Sequence, residues 1–149
     1  MDEQERSERQ MAELLQELRI ALPGVQFLFA FLLTVPFAAR FGDVTSFQKT
    51  AYFVALLTTA ASAVFLIAPT ATHRLRFHKG DRQFIIESAN RYLIVALVLL
   101  GVGIVAALMC LTDFLYGGLA TIIWPGLITL VLLVVWFIRP LLRSRSSGP

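Results

Sequence analysis

The chain has 149 residues, of which 57% are hydrophobic and 15% are charged, and its formal net charge is +3. Soluble domains average about 45–50% apolar and about 25% charged residues, so this composition excludes an ordinary soluble domain. The longest interruption of the apolar sequence, residues 69–91, has 23 residues, and a core of its own needs more than that. A separate catalytic or nucleic-acid-binding domain is therefore excluded.

Four apolar runs lack Asp, Glu, Lys, Arg and His. They have 20, 18, 21 and 25 residues and lie at Ile20–Ala39, Ala51–Ala68, Tyr92–Thr112 and Phe114–Ile138. A helix of about 20 residues crosses the ~30 Å hydrocarbon core of a bilayer. We therefore predict an all-α integral membrane four-helix bundle. Its membrane domain covers residues 23–142, with spans at about 20–39, 51–68, 92–112 and 118–138, and a disordered tail follows at 143–149.

Residues 1–22 are predicted to form a cytoplasmic amphipathic helix. One apolar stripe follows the helical period and consists of Met11, Leu14, Leu15, Leu18 and Leu22. The opposite face has more acids than bases, whereas helices that lie on anionic lipid favour Lys and Arg. We expect the stripe to pack on protein or to sit shallowly in lipid, with Glu13 and Glu17 facing a basic partner. A merely solvated acidic face is the alternative.

Two prolines and one amide mark the first span. We expect Pro23-Gly24 to be the joint with the amphipathic helix, since proline disrupts a helix interior, and Pro36 to kink or end the span. The amide of Gln26 either hydrogen-bonds to a neighbouring helix, which contributes about 0.6–2 kcal/mol in lipid, or lines a polar pathway. The candidate lining of such a pathway is Gln26, Thr34, Thr58 and Ser62.

Small residues on the later spans predict close helix packing. In the second span they recur every four residues, and small residues also occur in the third and fourth spans. Such ridges let two helix backbones approach closely. The candidate packing positions are Ala51, Ala55, Thr59, Ala63, Gly103, Ala107 and Gly126. The partner helix lies either in the same chain or in another, and Pro125 predicts a kink in the fourth span.

The connection between the second and third spans is basic. We expect the second helix to continue to Lys79, bent at Pro69, and the third to start at Arg82, because Gly80 and Asp81 are good capping residues. Together with the amphipathic helix, this connection supplies the candidate positions for assembly or lipid contact: Glu13, Glu17, Arg19, His73, Arg74, Arg76, Lys79 and Arg82. The basic members either bind anionic lipid headgroups or only anchor the spans.

The distribution of Lys and Arg predicts the topology. With four spans, the two tails and the second connection share one side and hold 11 basic residues, whereas the other side has only Arg40 and Lys49. Basic loops stay in the cytoplasm. We therefore predict a multi-pass protein of the bacterial cytoplasmic membrane with both termini inside.

The spans contain few side chains that could support catalysis, transport or metal binding. A charged side chain inside a span usually indicates transport or proton relay. Asp113 and Asp43 instead flank the membrane-spanning runs. We expect them to lie either at a pore mouth in an oligomer or in solvated loops. Cys110 is the single cysteine and is expected to be a packing residue. No catalytic motif has the required spacing. We predict a protein that is not an enzyme and has no metal or cofactor.

Several segments within residues 12–112 form a recognisable pattern. They read Glu13-Leu-Leu-Gln-Glu17-Leu-Arg19, Gly24-Val-Gln26, Phe31-Leu-Leu-Thr-Val-Pro36-Phe37, Phe47-Gln48-Lys49 with Tyr52, Ala68-Pro69 and His73-Arg74. The pattern resembles an uncharacterised bacterial family of small four-span membrane proteins, a domain of unknown function whose members are sometimes labelled cation/proton antiporters. The resemblance implies a four-span fold but transfers no functional residues. The charge-free spans do not favour the antiporter label.

Three functions stay open. The first is a non-catalytic structural or accessory subunit that self-associates or joins a larger membrane complex. The second is a small oligomeric channel or cation/proton transporter, and the third is an anionic-lipid-binding or sensing protein. The low polarity inside the spans favours the first. The expected partners are the lipid bilayer, further copies of the chain or other membrane subunits, and anionic lipid; nucleic acid is not expected.

Overall fold

The computed structural model describes residues 3–38, 41–76 and 82–138, which form four α-helices and no strand. The helices are α1 (Glu3–Thr34), α2 (Ser46–Arg76), α3 (Arg82–Leu115) and α4 (Ala120–Leu133). Four segments are long and apolar enough to cross a membrane, namely Arg19–Phe37, Ser46–Ala71, Ser88–Leu115 and Ala120–Ile138. The predicted fold class, an all-α membrane protein with four packed spans, is confirmed. A π-helical turn over Val134–Ile138 continues α4.

α2 and α3 form the central antiparallel pair of the bundle. α1 packs on α2 and, less extensively, on α3, whereas α4 packs on α3 and on no other described helix. We name the two ends of the bundle after the helix connections that lie there, the α2–α3 end and the α3–α4 end. Two apolar clusters hold the first three helices together. The first consists of Val25, Leu66 and Ala96, and the second of Leu32, Tyr52, Ala55 and Ala106.

α1 runs without a break through Pro23 and Gly24, where we expected a joint. Pro23 lies inside a single helix of 32 residues, so the predicted amphipathic segment and the first span are one element. Proline removes one backbone donor, and long membrane helices tolerate that loss. Both Pro23 and Gly24 are exposed, so that the proline ring does not have to fit against a neighbouring helix.

The end of α1 follows the prediction from Pro36. α1 ends at Thr34, and a 3₁₀ turn over Val35–Phe37 contains the proline. The N–H of residue 36 would normally bond to the carbonyl of Leu32, but proline has no N–H. The hydroxyl of Tyr52 donates to that carbonyl instead, at 2.8 Å. The bond links α2 to α1 at the point where α1 loses one of its own.

Two glycines make the tight connection between α3 and α4. Gly117 and Gly118 have φ values of 64° and 59°, in the left-handed region that glycine adopts without a Cβ penalty. The N–H groups of Tyr116 and Gly117 both donate to the carbonyl of Thr112, at 2.9 and 3.2 Å. This arrangement caps the last carbonyls of α3 and turns the chain directly into α4.

The connection between α2 and α3 is described only at its two ends. α2 passes through the buried Pro69 and reaches Arg76, and α3 starts at Arg82. The predicted caps Gly80 and Asp81, and Lys79 with them, lie outside the described residues. The side chains of His73, Arg74, Arg76, Arg82 and Glu17 also lie outside the described part.

Candidate functional site

A reciprocal pair of hydrogen bonds starts α2. The backbone N–H of Gln48 donates to Thr45 Oγ1 at 3.2 Å, and the backbone N–H of Thr45 donates to Gln48 Oε1 at 3.1 Å. This is a capping box, in which the threonine and the glutamine each satisfy a donor at the helix start. The box fixes the position of the Gln48 side chain, whose amide nitrogen remains free to bond elsewhere.

Asp113 receives hydrogen bonds from two other helices. Gln48 Nε2 donates to Asp113 Oδ2 at 2.8 Å, and Thr121 Oγ1 donates to Asp113 Oδ1 at 3.0 Å. Gln48 is only 6% exposed and Thr121 is likewise buried. The carboxylate also lies close to the first turn of α4, where the helix dipole favours a negative charge. Asp113 thus ties α2, α3 and α4 together at the α3–α4 end.

The two aspartates that were predicted to lie at a pore mouth or in solvated loops have different environments. Asp113 is half-buried in the last turns of α3 with both carboxylate oxygens bonded, whereas Asp43 is exposed in the 3₁₀ turn over Phe41–Asp43. Gln48 and Thr121 are partners of Asp113 that were not predicted from the sequence. The Thr-x-x-Gln pattern at Thr45 was the signal that could have placed the Gln48 side chain.

An apolar pocket of about 490 Å³ lies beside this polar cluster, between α1, α2 and α3. Its wall includes Leu28, Phe31, Leu32, Val35, Ala38, Val44, Gln48, Tyr52, Ala107, Leu108, Cys110, Leu111 and Phe114. The amide of Gln48 and the hydroxyl of Tyr52 are already bonded to Asp113 and to the Leu32 carbonyl. The surface that remains is apolar and includes the weakly polar thiol of Cys110, so the pocket suits an apolar chain.

Three of the predicted packing positions, Ala55, Thr59 and Gly103, meet at a close crossing of α2 and α3. Ala55 and Thr59 are fully buried, and a Cβ atom added to Gly103 would come 2.6 Å from Thr59 Oγ1. Ala51 is buried beside them, whereas Ala63 and Ala107 are half-buried against the two apolar clusters. Gly126 differs, because it lies exposed on α4 with no heavy atom within 4 Å of an added Cβ. Gly126 therefore packs against no other helix among the described residues, whereas Thr121 and Pro125 of α4 are buried.

The four candidate lining residues do not meet along one path in the single chain. Ser62 is buried and donates to the carbonyl of Ala96 on α3 at 2.8 Å. The hydroxyls of Thr58 and Thr34 donate to carbonyls of their own helices, at 2.8 and 2.7 Å. Gln26 is exposed on α1.

A second cleft, of about 380 Å³, lies between α1 and α2 at the α2–α3 end. We call it the α1–α2 cleft, and its lining is Ala12, Gln16, Arg19, Leu22, Leu66, Ile67 and Thr70. Of the predicted contact residues, Arg19 contributes to this cleft. Glu13 is exposed and instead pairs with Arg9 along α1, where Arg9 Nε lies 3.3 Å from Glu13 Oε1.

The described residues contain no group of three or more His, Cys, Asp or Glu side chains that could hold a metal ion. A family model described as a family of unknown function (DUF6328) matches residues 2–140. No curated protein and no solved structure matches the chain. The family match extends beyond the segments that carried the resemblance and includes all four spans.

Proposed function

The chain belongs to DUF6328, a family of unknown function, and we propose from this premise that it is a non-catalytic structural subunit that self-associates in the membrane through α1. The observation that carries the proposal is the exposed amide of Gln26 within the first span. We also propose that the membrane is the bacterial cytoplasmic membrane, with both termini in the cytoplasm. The 11 basic residues on one side against two on the other support this orientation.

Gln26 lies deep in the membrane-spanning part of α1. It follows Arg19, the first residue of the span, by seven positions and precedes Phe37, the last, by 11. At 1.5 Å per residue, these separations are about 10 Å and about 16 Å. The amide makes no hydrogen bond to another described side chain. A polar group without a partner in hydrocarbon costs several kcal/mol, so that a second protein surface is favoured over lipid at this position.

The exposed residues around Gln26 form a row with the spacing of a helix-pairing seam. Pro23, Gln26, Ala30 and Leu33 are all exposed and follow each other at intervals of three, four and three residues, as in a heptad. The small Ala30 permits close approach of a second helix. We call these four residues the Gln26 seam.

A second copy of the chain satisfies the amide by symmetry. A carboxamide carries both donors and an acceptor, so two Gln26 side chains that face each other across a two-fold axis can bond reciprocally. A two-fold interface presents the same patch from both subunits. The Gln26 seam is self-complementary in this sense, which favours another copy of the chain over an unrelated subunit.

The channel alternative has less support. The hydroxyls of Thr34, Thr58 and Ser62 already donate to backbone carbonyls, and only Gln26 of the candidate lining remains for a polar path. One amide at one level of the membrane does not supply successive sites for an ion.

Disulfide trapping in the membrane tests the proposal. In a Cys110→Ser background, Ala30→Cys is expected to form a disulfide-linked dimer, because a disulfide needs Cβ atoms about 4 Å apart. Phe27→Cys is the control, since Phe27 is 79% exposed but lies outside the seam. Adding Gln26→Leu to Ala30→Cys should lower the dimer yield, whereas adding Thr34→Val should not, because the Thr34 hydroxyl is satisfied within α1. Equal yields from Ala30→Cys and Phe27→Cys would contradict the proposal.

A further inference from the structure

The α1–α2 cleft combines polar and apolar walls at the edge of the membrane. Gln16, Arg19 and Thr70 supply an amide, a guanidinium and a hydroxyl, and Leu22, Leu66 and Ile67 supply the apolar part. We propose that this cleft binds one anionic phospholipid, with the headgroup phosphate on Arg19. The inference goes beyond the proposed self-association and involves no residue of the Gln26 seam.

The depth of the cleft fits a headgroup. Arg19 is the first residue of the first span, and Thr70 is one residue from the end of the second span at Ala71. The polar wall therefore lies at the level where hydrocarbon gives way to headgroups. A lipid phosphate reaches this level while its acyl chains remain in the bilayer.

The polar side chains of the cleft are available for a ligand. Gln16, Arg19 and Thr70 are exposed, and none of them makes a hydrogen bond or an ion pair with another described side chain. Glu13, one of the acids on α1, is paired with Arg9 instead. The guanidinium of Arg19 is planar and presents paired N–H donors that match two oxygens of a phosphate. The hydroxyl and the amide add two further donors from two different helices.

The apolar part of the cleft distinguishes a lipid from a free anion. Leu66 is buried and belongs to the first apolar cluster, and its neighbour Ile67 is about half exposed. A free phosphate would leave this surface uncovered, whereas the first methylenes of an acyl chain cover it. Among the described residues, Arg19 is the one cationic side chain that lines the cleft. It repels the choline group of a zwitterionic lipid, so an anionic headgroup is favoured.

Native mass spectrometry of the full-length protein in detergent tests the assignment. Phosphatidylglycerol and phosphatidylcholine with the same acyl chains are added separately, and the bound lipids per chain are counted. We expect one phosphatidylglycerol to be retained in preference to phosphatidylcholine. Arg19→Gln should weaken that retention by about tenfold, because it removes a charge-assisted pair of hydrogen bonds. Thr70→Val should weaken it by a smaller factor.

Arg9→Gln is the matched control. It makes the same change of charge on the same helix, ten residues and about 15 Å from Arg19, and should leave lipid retention unchanged. An equal loss in Arg9→Gln and Arg19→Gln would overturn the proposal, since net charge alone would then explain binding. Equal retention of both lipids would also overturn it, and so would displacement of phosphatidylglycerol by inorganic phosphate, which would mark a site for a free anion.

Discussion

Thr59 on α2 and Gly103 on α3 lie so close that no side chain fits between them. A Cβ atom added to Gly103 would come 2.6 Å from Thr59 Oγ1 and 3.4 Å from the backbone oxygen of Ala55. Thr59 is fully buried, and its Oγ1 has no hydrogen-bond partner among the described residues. The absence of a side chain at Gly103 therefore lets α2 and α3 approach closely at this point, and the other two helices pack on that pair.

Gly103→Ala should destabilise the protein by about 1–3 kcal/mol, the usual cost of overpacking a well-packed core. The added methyl group would clash with Thr59 Oγ1 at 2.6 Å and crowd Thr58 Oγ1 at 3.1 Å, so that the threonine side chains or the two helices have to shift. Unfolding of the purified protein by titration with SDS in mixed micelles measures the change. Adding Thr59→Ala should recover part of the loss, since it removes the nearest atom.

Gly126→Ala is the control for that experiment. Gly126 also lies in a membrane-spanning helix, but a Cβ atom there meets no heavy atom within 4 Å. The substitution should leave the stability of the single chain unchanged or raise it slightly through helix propensity. If both glycine substitutions cost the same, the cost would arise from the helix backbone and not from the Thr59 contact.

Asp113→Asn should destabilise the protein by about 1–3 kcal/mol. The single oxygen of the asparagine can accept from only one of Gln48 and Thr121, so the other contact is lost or has to be remade with the Thr121 hydroxyl as acceptor of an NH₂ proton. The charge near the first turn of α4 is lost as well. Asp43→Asn is the control at the same end of the bundle, since Asp43 is exposed. Equal effects of the two substitutions on SDS-induced unfolding would argue against a stabilising role of the hydrogen bonds by which Asp113 joins α2, α3 and α4.

The spans and the end of α1 could be predicted from sequence because they depend on local chemistry. Uncharged runs of suitable length identify membrane helices, and Pro36 lacks the N–H that would continue α1. The same rule predicted a joint between two helices at Pro23, and that prediction is wrong. A single lost donor does not break a helix that continues for several turns on each side, and Pro23 is exposed rather than packed against another described helix of its own chain.

The polar contacts could not be predicted in the same way, because they join residues far apart in sequence. Gln48 and Asp113 are separated by 65 positions, and their meeting depends on which helices are neighbours and in what register. Arg19 could be singled out as a charged residue at the membrane edge. Its neighbour Thr70 could not, since hydrophobic periodicity does not encode the register of α1 against α2.

The proposed orientation predicts which positions a membrane-impermeant maleimide reaches in intact cells. In a Cys110→Ser background, Leu119→Cys should be labelled, because it is 76% exposed at the α3–α4 end. Arg9→Cys, exposed at the opposite end, should be labelled only after the cells are permeabilised. Labelling of Arg9→Cys in intact cells would reverse the topology.

Tyr52→Phe should destabilise the protein by about 1–3 kcal/mol, because it leaves a buried backbone carbonyl without a donor. The hydroxyl of Tyr52 donates to the carbonyl of Leu32 at 2.8 Å. Pro36 cannot donate to this carbonyl because it has no N–H. Tyr116→Phe is the control, since Tyr116 is 76% exposed. The change is measured by SDS-induced unfolding and by loss of α1 protection in amide exchange.

A double-mutant cycle with Pro36→Ala separates this mechanism from simple loss of packing. The substitution restores an N–H at position 36, which can donate to the Leu32 carbonyl if α1 extends by one turn. Tyr52→Phe should then cost less than it does beside the native proline, and the difference between the two costs is the coupling energy. If Tyr52→Phe costs the same in both backgrounds, the Tyr52 hydroxyl does not compensate for the N–H that Pro36 lacks. Its bond to Leu32 would then stabilise the α1–α2 contact independently of Pro36.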